Sequence, residues 1–460
     1  MEVLRRVIYI IGGQVQGVGF RPFIFREAQR LGLTGSVQNT PEGVRIEVQG
    51  APSALASFST FSLRLPPLAR VSSVAQHDAE VVTDEGEFKI LLTSEGPHRG
   101  HAVLVSPDVA PCAHCLADMS DPGNHRFGYA FTNCTDCGPR YTITKSIPYD
   151  RPVTSMACFP LCKRCSDEYH SPSDRRFHAQ PNACPECGPM LWLERADPHG
   201  SALTSAAPAG GTLPFRLIRY GVHGAETTGN DAVLLLLHEL CKGRIAAVKG
   251  LGGFHLVCDA RNKDAIQRLR ERKHRPHKPL AVMAADIDAA AHLADIGPQG
   301  SNARILLESP CRPIVICPHS SLPRLLSPDT GDIGLMLPST PLHHLLFHPE
   351  LCGGDAGDSP DCLVMTSGNP PGTPLCIGNR EARRMLDGIA DLFLFHDRDI
   401  VVRADDSVVF PAWPDKGLPS SCIIRRARGH TPAPSLLPAH DNRKPDQSIL
   451  GVGAELKNTF

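Results

Sequence analysis

Residues 111–139 read PCAHCLADMSDPGNHRFGYAFTNCTDCGP, and residues 161–189 read LCKRCSDEYHSPSDRRFHAQPNACPECGP. Each stretch holds two CxxC pairs that are separated by eighteen residues. A shift of fifty residues superimposes the four cysteines of the first repeat on those of the second, and it also superimposes Phe127 on Phe177. The chain therefore contains a duplicated cysteine module, predicted to span residues 105–190, between a small front part and a large back part.

The cysteine spacing predicts metal binding. Each CxxC pair places two thiolates on one tight turn, and two pairs complete a tetrahedral zinc site with no open position for water, so two structural zinc ions are expected. Redox dithiols are the alternative, but four pairs without a βαβ setting argue against them. The duplication favours one zinc per repeat, while pairing across the repeats is left open. The eight predicted ligands are Cys112, Cys115, Cys134, Cys137, Cys162, Cys165, Cys184 and Cys187.

Composition and charge restrict the class of protein. The 460 residues predict several domains. The net charge is −1, which indicates neither a nucleic-acid nor a membrane partner. Apolar runs such as Ala232–Leu237 are far too short to span a bilayer. No signal-peptide pattern is recognised at the N-terminus, so we expect a cytoplasmic protein whose thiols stay reduced and available for metal.

Residues 1–92, the front module, predict a compact α+β unit. The order of its elements is βαββαβ, which is the ferredoxin-like split motif. The pattern places strands at Val7–Ile11 and Glu87–Leu92, a hairpin around Asn39, and helices that begin near Phe20 and Ser53.

The first strand-to-helix junction of the front module predicts an anion site. Glycines let backbone N–H groups point inward, the helix behind them adds its positive end, and Arg21 can hold phosphate oxygens in a bidentate manner. A plain tight turn is the alternative. The turn is predicted to bind phosphate through Gln16, Gly17, Val18, Gly19 and Phe20.

A family resemblance sharpens this prediction. GQVQGVGFRPF at residues 13–23, followed by SVQNTPEGV at residues 36–44, resembles acylphosphatase. The resemblance implies that Arg21 binds the phosphate and that Asn39 orients the attacking water. No covalent intermediate is implied, because such a site positions reactants and stabilises charge.

Residues 231–434, the back module, predict an α/β domain after a linker or insertion at residues 191–230. A basic cluster at residues 268–278, followed by the turn at residues 366–369, resembles the YrdC fold, which implies ATP binding and acyl-adenylate formation. Asp405 and Asp406 are expected either to help hold Mg²⁺ or to pair with nearby arginines. The implied nucleotide-binding residues are Lys273, Arg275, Lys278, Ser367, Asn369, Arg425 and Arg426.

The three modules together make a multidomain α+β protein that resembles the HypF carbamoyltransferases of [NiFe]-hydrogenase maturation. The resemblance implies an ATP-dependent carbamoyltransferase or ligase. It also implies that carbamoyl phosphate is hydrolysed in the front module and that the back module joins carbamate to AMP. The resemblance further implies transfer of the carbamoyl group to the C-terminal cysteine of a HypE-like partner.

Residues 435–460 are expected to form a linker and the start of a truncated actin-like transferase domain, so the transfer step is expected to be lost. Three other interpretations remain from the sequence. They are an enzyme like threonylcarbamoyl-AMP synthase, a non-enzymatic zinc-containing maturation scaffold, and a broad acylphosphatase.

Overall fold

The computed structural model describes most of the chain. Among helices in the described ranges, none combines the length and the apolar character that crossing a membrane requires. Much of the predicted linker, residues 197–226, and the whole of residues 435–460 lie outside the described residues. The described residues are 4–93, 103–196, 227–318, 320–412 and 421–434.

The front module is a ferredoxin-like sheet with two helices, as predicted. Strands β4, β1, β3 and β2 lie side by side in that order and pair antiparallel. β5 adds to β2, and β6 adds to β1, both in parallel. The elements are β1 (Arg5–Gln16), α1 (Phe20–Arg30), β2 (Thr34–Thr40), β3 (Gly43–Gly50), α2 (Pro52–Phe58), β4 (Arg70–Ala79), β5 (Phe88–Ile90) and β6 (Val103–Val105).

The predicted last strand of this motif was wrong in position. Glu87–Leu92 contains only the short edge strand β5. The strand that completes the motif is the ten-residue β4, Arg70–Ala79, which pairs with β1. β4 is an edge strand, and nearly all of its side chains are exposed. An alternating apolar pattern, the usual sign of a half-buried strand, is therefore missing from its sequence.

The aromatic core of the front module sets the position of α1. Phe20, Ile24 and Ala28 recur at helical spacing and are fully buried against the sheet. The ring of Phe20 meets that of Phe61 at a centroid distance of 6.3 Å, and Phe61 meets Tyr9 at 5.9 Å. This packing holds the first turn of α1 directly behind the glycine turn that precedes it.

Two equivalent ion pairs join the two cysteine repeats. Arg126 of the first repeat pairs with Glu168 of the second, with Nη1 2.8 Å from Oε1. Fifty residues on, Arg176 of the second repeat pairs with Asp118 of the first. The two acids, like the two arginines, occupy equivalent positions in the repeats. Each repeat contains one short helix, α3 (Ala113–Ser120) and α4 (Lys163–His170).

The back module is built on an eleven-stranded mixed sheet with the strand order β17-β16-β12-β13-β11-β14-β10-β9-β15-β7-β8. Its helices are α5 (Gly229–Cys241), α6 (Lys263–Arg272), α7 (Ile287–Leu293), α8 (Asn302–Glu308), α9 (Pro341–Leu345) and α10 (Asn379–Met385). Its strands are β7 (Leu191–Arg195), β8 (Thr227–Thr228), β9 (Ala246–Lys249), β10 (Phe254–Asp259), β11 (Val282–Ala284), β12 (Ile314–Cys317), β13 (Ile333–Met336), β14 (Cys362–Ser367), β15 (Leu392–His396), β16 (Val408–Pro411) and β17 (Ser421–Arg425).

The predicted linker does not begin at residue 191, because residues 191–195 form strand β7. Leu191–Arg195 pairs antiparallel with β15, and the side chains of Leu191, Trp192 and Leu193 are buried. The strand was missed because it follows the last cysteine pair directly and precedes a stretch rich in glycine, alanine and serine. The cysteine module therefore runs straight into the large sheet.

The cysteine module also packs against both of its neighbours. Tyr129 and Phe131 belong to an apolar core that includes Leu236 and Leu237 of α5. Phe177, in contrast, belongs to the core of the front module. The duplicated module therefore lies between the other two and contacts each of them.

Candidate metal centres and active sites

The cysteines form two four-thiol clusters, one in each repeat, as the duplication favoured. In the first cluster the Sγ atom of Cys134 lies 3.7 Å from that of Cys112 and 3.8 Å from that of Cys137. In the second, Cys184 lies 3.7 Å from Cys162 and 3.8 Å from Cys187. A tetrahedral zinc ion with Zn–S bonds of about 2.3 Å requires sulfur–sulfur edges of roughly 3.8 Å. Both clusters therefore fit zinc.

Basic side chains reach each cluster from the other repeat, which the cysteine spacing did not predict. Arg126 of the first repeat donates a hydrogen bond from Nη2 to the Sγ of Cys165 at 3.3 Å. Arg175 of the second repeat donates from Nη1 to the Sγ of Cys115 at 3.0 Å. Such outer contacts orient thiolate ligands and offset their negative charge.

The glycine turn of the front module forms one wall of a small cavity. Gly17 has φ 72°, a left-handed conformation that favours glycine. A Cβ at this position would lie 3.0 Å from the ring of Tyr149, which belongs to the cysteine module. The cavity therefore lies between the two modules. Its lining includes Arg21, Asn39, Arg140, Tyr149, His178 and Gln180.

Arg21 lies in the first turn of α1 and is buried in this cavity. Its Nη2 lies 3.8 Å from Oδ1 of Asp150, which also accepts a hydrogen bond from Thr93 through its other oxygen. A guanidinium beside a helix N-terminus suits an anion, and phosphate binding by Arg21 stays a prediction.

Asn39 enters the same cavity from β2. Its Nδ2 donates a hydrogen bond to the backbone oxygen of Tyr149 at 3.1 Å. Its Oδ1 is buried and has no hydrogen-bond partner among the described residues. A free carbonyl acceptor at this place suits the orientation of a water molecule.

Two side chains of the predicted phosphate-binding turn, those of Gln16 and Val18, make structural contacts. Gln16 uses its side chain structurally, since Nε2 donates to the oxygens of Thr40 and Gly43 and Oε1 accepts from the N–H of Tyr149. Val18 is fully buried in the module core. Only backbone groups of these two residues can therefore face an anion, and their role in phosphate binding stays a prediction.

Tyr149, Asp150 and His178 were not predicted from the sequence. They belong to the cysteine module, more than a hundred residues after the glycine turn. Tyr149 and His178 line the cavity, and Asp150 lies beside Arg21, because the cysteine module packs on the front module. Burial raises the pKa of Tyr149 to about 12, so its phenol stays protonated. No pattern near either segment connected them with Arg21.

The predicted nucleotide residues meet in one large groove in the back module. Lys273 donates from Nζ to the backbone oxygens of Ser367 and Asn369, the latter at 2.8 Å. Arg275 donates from Nη1 to Oγ1 of Thr366 at 2.9 Å. Lys278, Arg425 and Arg426 also line the groove.

The groove is strongly basic. Burial, followed by the neighbouring Arg275, lowers the pKa of Lys273 to about 7. Burial also lowers the pKa of Arg275 to about 10. Cations that disfavour one another in this manner are stabilised by a bound anion. The groove also has an apolar part, which includes Ile314, Ile333 and Met365.

The two aspartates differ in their contacts. Asp406 is buried and pairs with Arg428 at 2.8 Å and with His255 at 2.9 Å. Burial tends to raise the pKa of Asp406, but Arg428 and His255 outweigh it and hold that pKa well below its ordinary value. Asp405 lines the groove with its carboxylate 3.3 Å from Arg425. These contacts favour the ion-pair interpretation, most clearly for Asp406.

Three family models match the chain. The acylphosphatase model matches residues 7–90, and the HypF finger model matches residues 112–144 and 161–194. The Sua5/YciO/YrdC model, described as telomere recombination, matches residues 238–427. The fold and sites therefore define a protein that joins an acylphosphatase domain, two four-cysteine fingers and a YrdC-like domain.

Relatives match the chain along nearly its whole length. The chain is 45% identical to carbamoyltransferase HypF2 of Cupriavidus necator over 99% of its own length and 53% of the relative's. It is similar to a crystal structure of full-length HypF in the phosphate- and nucleotide-bound form, with a TM-score of 0.80, 38% identity and coverage of 95% of this chain and 52% of that one. HypF of T. kodakarensis matches with a TM-score of 0.78 and 35% identity, over 94% of this chain and 50% of that one.

The chain belongs to the HypF carbamoyltransferase family. It spans about half the length of the curated relatives that it matches.

Proposed function

We propose that this chain performs the first two steps of a carbamoyl transfer, with carbamoyl phosphate and ATP as substrates. The observation that carries the proposal is the pair of anion sites, one around Arg21 and Asn39 and the other around Lys273 and Arg275. The names of the relatives point to the carbamoyl group as the cargo.

The first proposed step is hydrolysis of carbamoyl phosphate in the front module. Arg21 and the backbone N–H groups of the glycine turn hold the phosphate oxygens. Asn39 accepts a hydrogen bond from water through Oδ1 and orients that water toward phosphorus. Attack breaks the bond between phosphorus and the acyl oxygen, which leaves as carbamate while inorganic phosphate forms. Catalysis rests on positioning and charge stabilisation.

The second proposed step is adenylation in the back module. A carbamate oxygen attacks the α-phosphorus of ATP, pyrophosphate leaves, and carbamoyl-adenylate forms. Lys273 and Arg275 offset the charge of the phosphates, while the apolar part of the groove accepts the adenine. Mg²⁺ accompanies the nucleotide through its phosphates.

Zinc and the partner protein complete the proposal. Two zinc ions in the cysteine clusters are structural, because four thiolates leave no position for substrate. We place the chain in the cytoplasm, where the thiols remain reduced. The carbamoyl group is then passed to the C-terminal cysteine of a HypE-like maturation protein, and this transfer is assigned to none of the described residues.

Two paired variants test the two steps. Arg21→Ala is expected to lower phosphate release from carbamoyl phosphate on the order of 10²–10³-fold. Arg30→Ala is its control, because Arg30 lies exposed on the same helix and pairs with Glu27 one turn away. Lys273→Ala is expected to abolish ATP–pyrophosphate exchange that depends on carbamoyl phosphate while phosphate release continues. Lys263→Ala, on the exposed start of α6, is its control.

The outcomes are separable. Full phosphate release by Arg21→Ala would contradict the hydrolytic site and support a scaffold. Exchange that survives in Lys273→Ala would contradict the adenylation site. Hydrolysis of many acyl phosphates without any exchange in the unmodified chain would indicate a broad acylphosphatase instead.

A further inference from the structure

The second cysteine repeat places a histidine where the first repeat has a glycine. Gly128 has φ 61°, and fifty residues on His178 has φ 54°, so both backbones are left-handed. Glycine adopts this conformation freely, whereas a side chain makes it unfavourable. A histidine kept in such a conformation suggests that its side chain is used.

The surroundings explain why only one repeat carries a side chain here. At Gly128 a Cβ would lie 2.2 Å from the backbone oxygen of Leu351 and 2.7 Å from Nδ2 of Asn230, so the back module leaves no room. His178 instead lines the cavity that contains Arg21 and Asn39.

The imidazole of His178 is held in place but keeps its polar atoms available. Its ring packs 5.0 Å from the ring of Tyr169 and 4.7 Å from that of Phe177. Its backbone oxygen accepts a hydrogen bond from Nε2 of Gln180 at 2.9 Å. No described residue hydrogen-bonds its ring nitrogens. Burial, followed by Arg21, lowers the pKa of His178 to about 4, so the ring is neutral near pH 7 and offers one donor and one acceptor.

We propose that His178 determines which acyl group the front-module site accepts, through a hydrogen bond from the amide N–H of a carbamoyl group to the imidazole. Arg21 holds the phosphate at the other end of the same ligand. This inference rests on the proposed function. An acetyl group carries a methyl in place of the amide and would leave the imidazole acceptor unsatisfied, which disfavours its binding.

The test compares carbamoyl phosphate with acetyl phosphate in the full chain. His178→Gly removes the imidazole and restores the residue that the first repeat uses, so the backbone is relieved rather than strained. The ratio of kcat/KM for carbamoyl phosphate to that for acetyl phosphate is expected to fall about tenfold, the contribution of one hydrogen bond. Zinc content and thermal unfolding, measured on the same samples, are expected to stay as in the unmodified chain.

A matched control separates specificity from structure. His170→Ala removes an exposed imidazole from the same repeat and is expected to leave the ratio unchanged. A ratio that survives in His178→Gly, or an equal loss for both substrates, would overturn the assignment of His178 alone. Failure of the unmodified chain to hydrolyse carbamoyl phosphate would overturn the proposed function, and the assignment with it.

Discussion

The two cysteine repeats share one metal-binding scaffold and differ in what they contact. Phe127 packs on the core that the cysteine module shares with the back module, whereas its equivalent, Phe177, joins the core of the front module, 5.4 Å from the ring of Phe25. Gly128 touches the back module, and His178 lines the cavity that contains Arg21 and Asn39. The two repeats thus share the same arrangement of metal ligands, whereas different residues in the loops between the cysteine pairs give them different neighbours.

Loss of a zinc ligand is expected to have the largest effect on the stability of the protein. Cys134→Ser and Cys184→Ser each remove one ligand from one of the two clusters. Each variant is expected to lose one of the two zinc ions and to unfold far more readily, since structural zinc contributes on the order of 10 kcal/mol. Metal analysis and thermal unfolding measure both effects. Cys158→Ser, at an exposed position outside the clusters, is the control. Unchanged zinc content in the cluster variants would contradict the assignment.

The reciprocal ion pairs between the repeats should differ in strength. Arg126→Ala leaves Glu168 without its buried partner and is expected to lower the free energy of unfolding by about 3 to 5 kcal/mol. Arg176→Ala is expected to cost about 1 to 3 kcal/mol, because Asp118 retains Arg175. Denaturant unfolding measures the difference, with the exposed Arg164→Ala as control. Equal losses of unfolding free energy in the two variants would show that the two ion pairs contribute equally to stability.

Loosening one repeat from its neighbour should affect one activity. Phe177→Ala removes a buried ring from the front-module core, at about 3 kcal/mol, and is expected to reduce phosphate release. The affinity for MgATP should be retained. Phe127→Ala, at a half-buried position, is the matched change on the other side and should leave phosphate release intact. Equal loss of phosphate release in both variants would contradict the division of roles.

The affinity of the back-module groove for MgATP should depend on pH. Because the pKa of Lys273 is lowered to about 7, its amine is largely neutral in the free protein above that pH. A bound anion favours the ammonium form, so binding takes up a proton. The affinity for MgATP should therefore fall as pH rises above 7, by up to about tenfold per pH unit. Calorimetry in buffers of different ionisation enthalpy measures this proton uptake.

Lys273→Gln provides the control for this pH dependence, because it has no group to titrate. Its affinity for MgATP should be weaker and should vary little with pH. A steep pH dependence that persists in Lys273→Gln would assign the proton to another group.

Short-range patterns predicted much of the candidate sites. The cysteine spacing identified both clusters, and the glycine turn with Arg21 and Asn39 identified residues that do line one cavity. Edge strand β4 was missed because its exposed side chains do not alternate. The arginine contacts of Asp406 join residues twenty-two positions apart, and its contact with His255 spans 151 positions. Such distances leave no periodic pattern in the sequence.

Residue spacing was therefore sufficient to locate the two cysteine clusters, because each CxxC pair depends on local backbone geometry. The classes of the front and back modules needed the family resemblances as well. Packing alone brought Tyr149 and His178 over the glycine turn and gave equivalent repeat positions different neighbours. The physical reason is that burial and hydrogen bonding act between surfaces. The surfaces that meet are set only when the cysteine module packs against the front module on one side and the large sheet on the other.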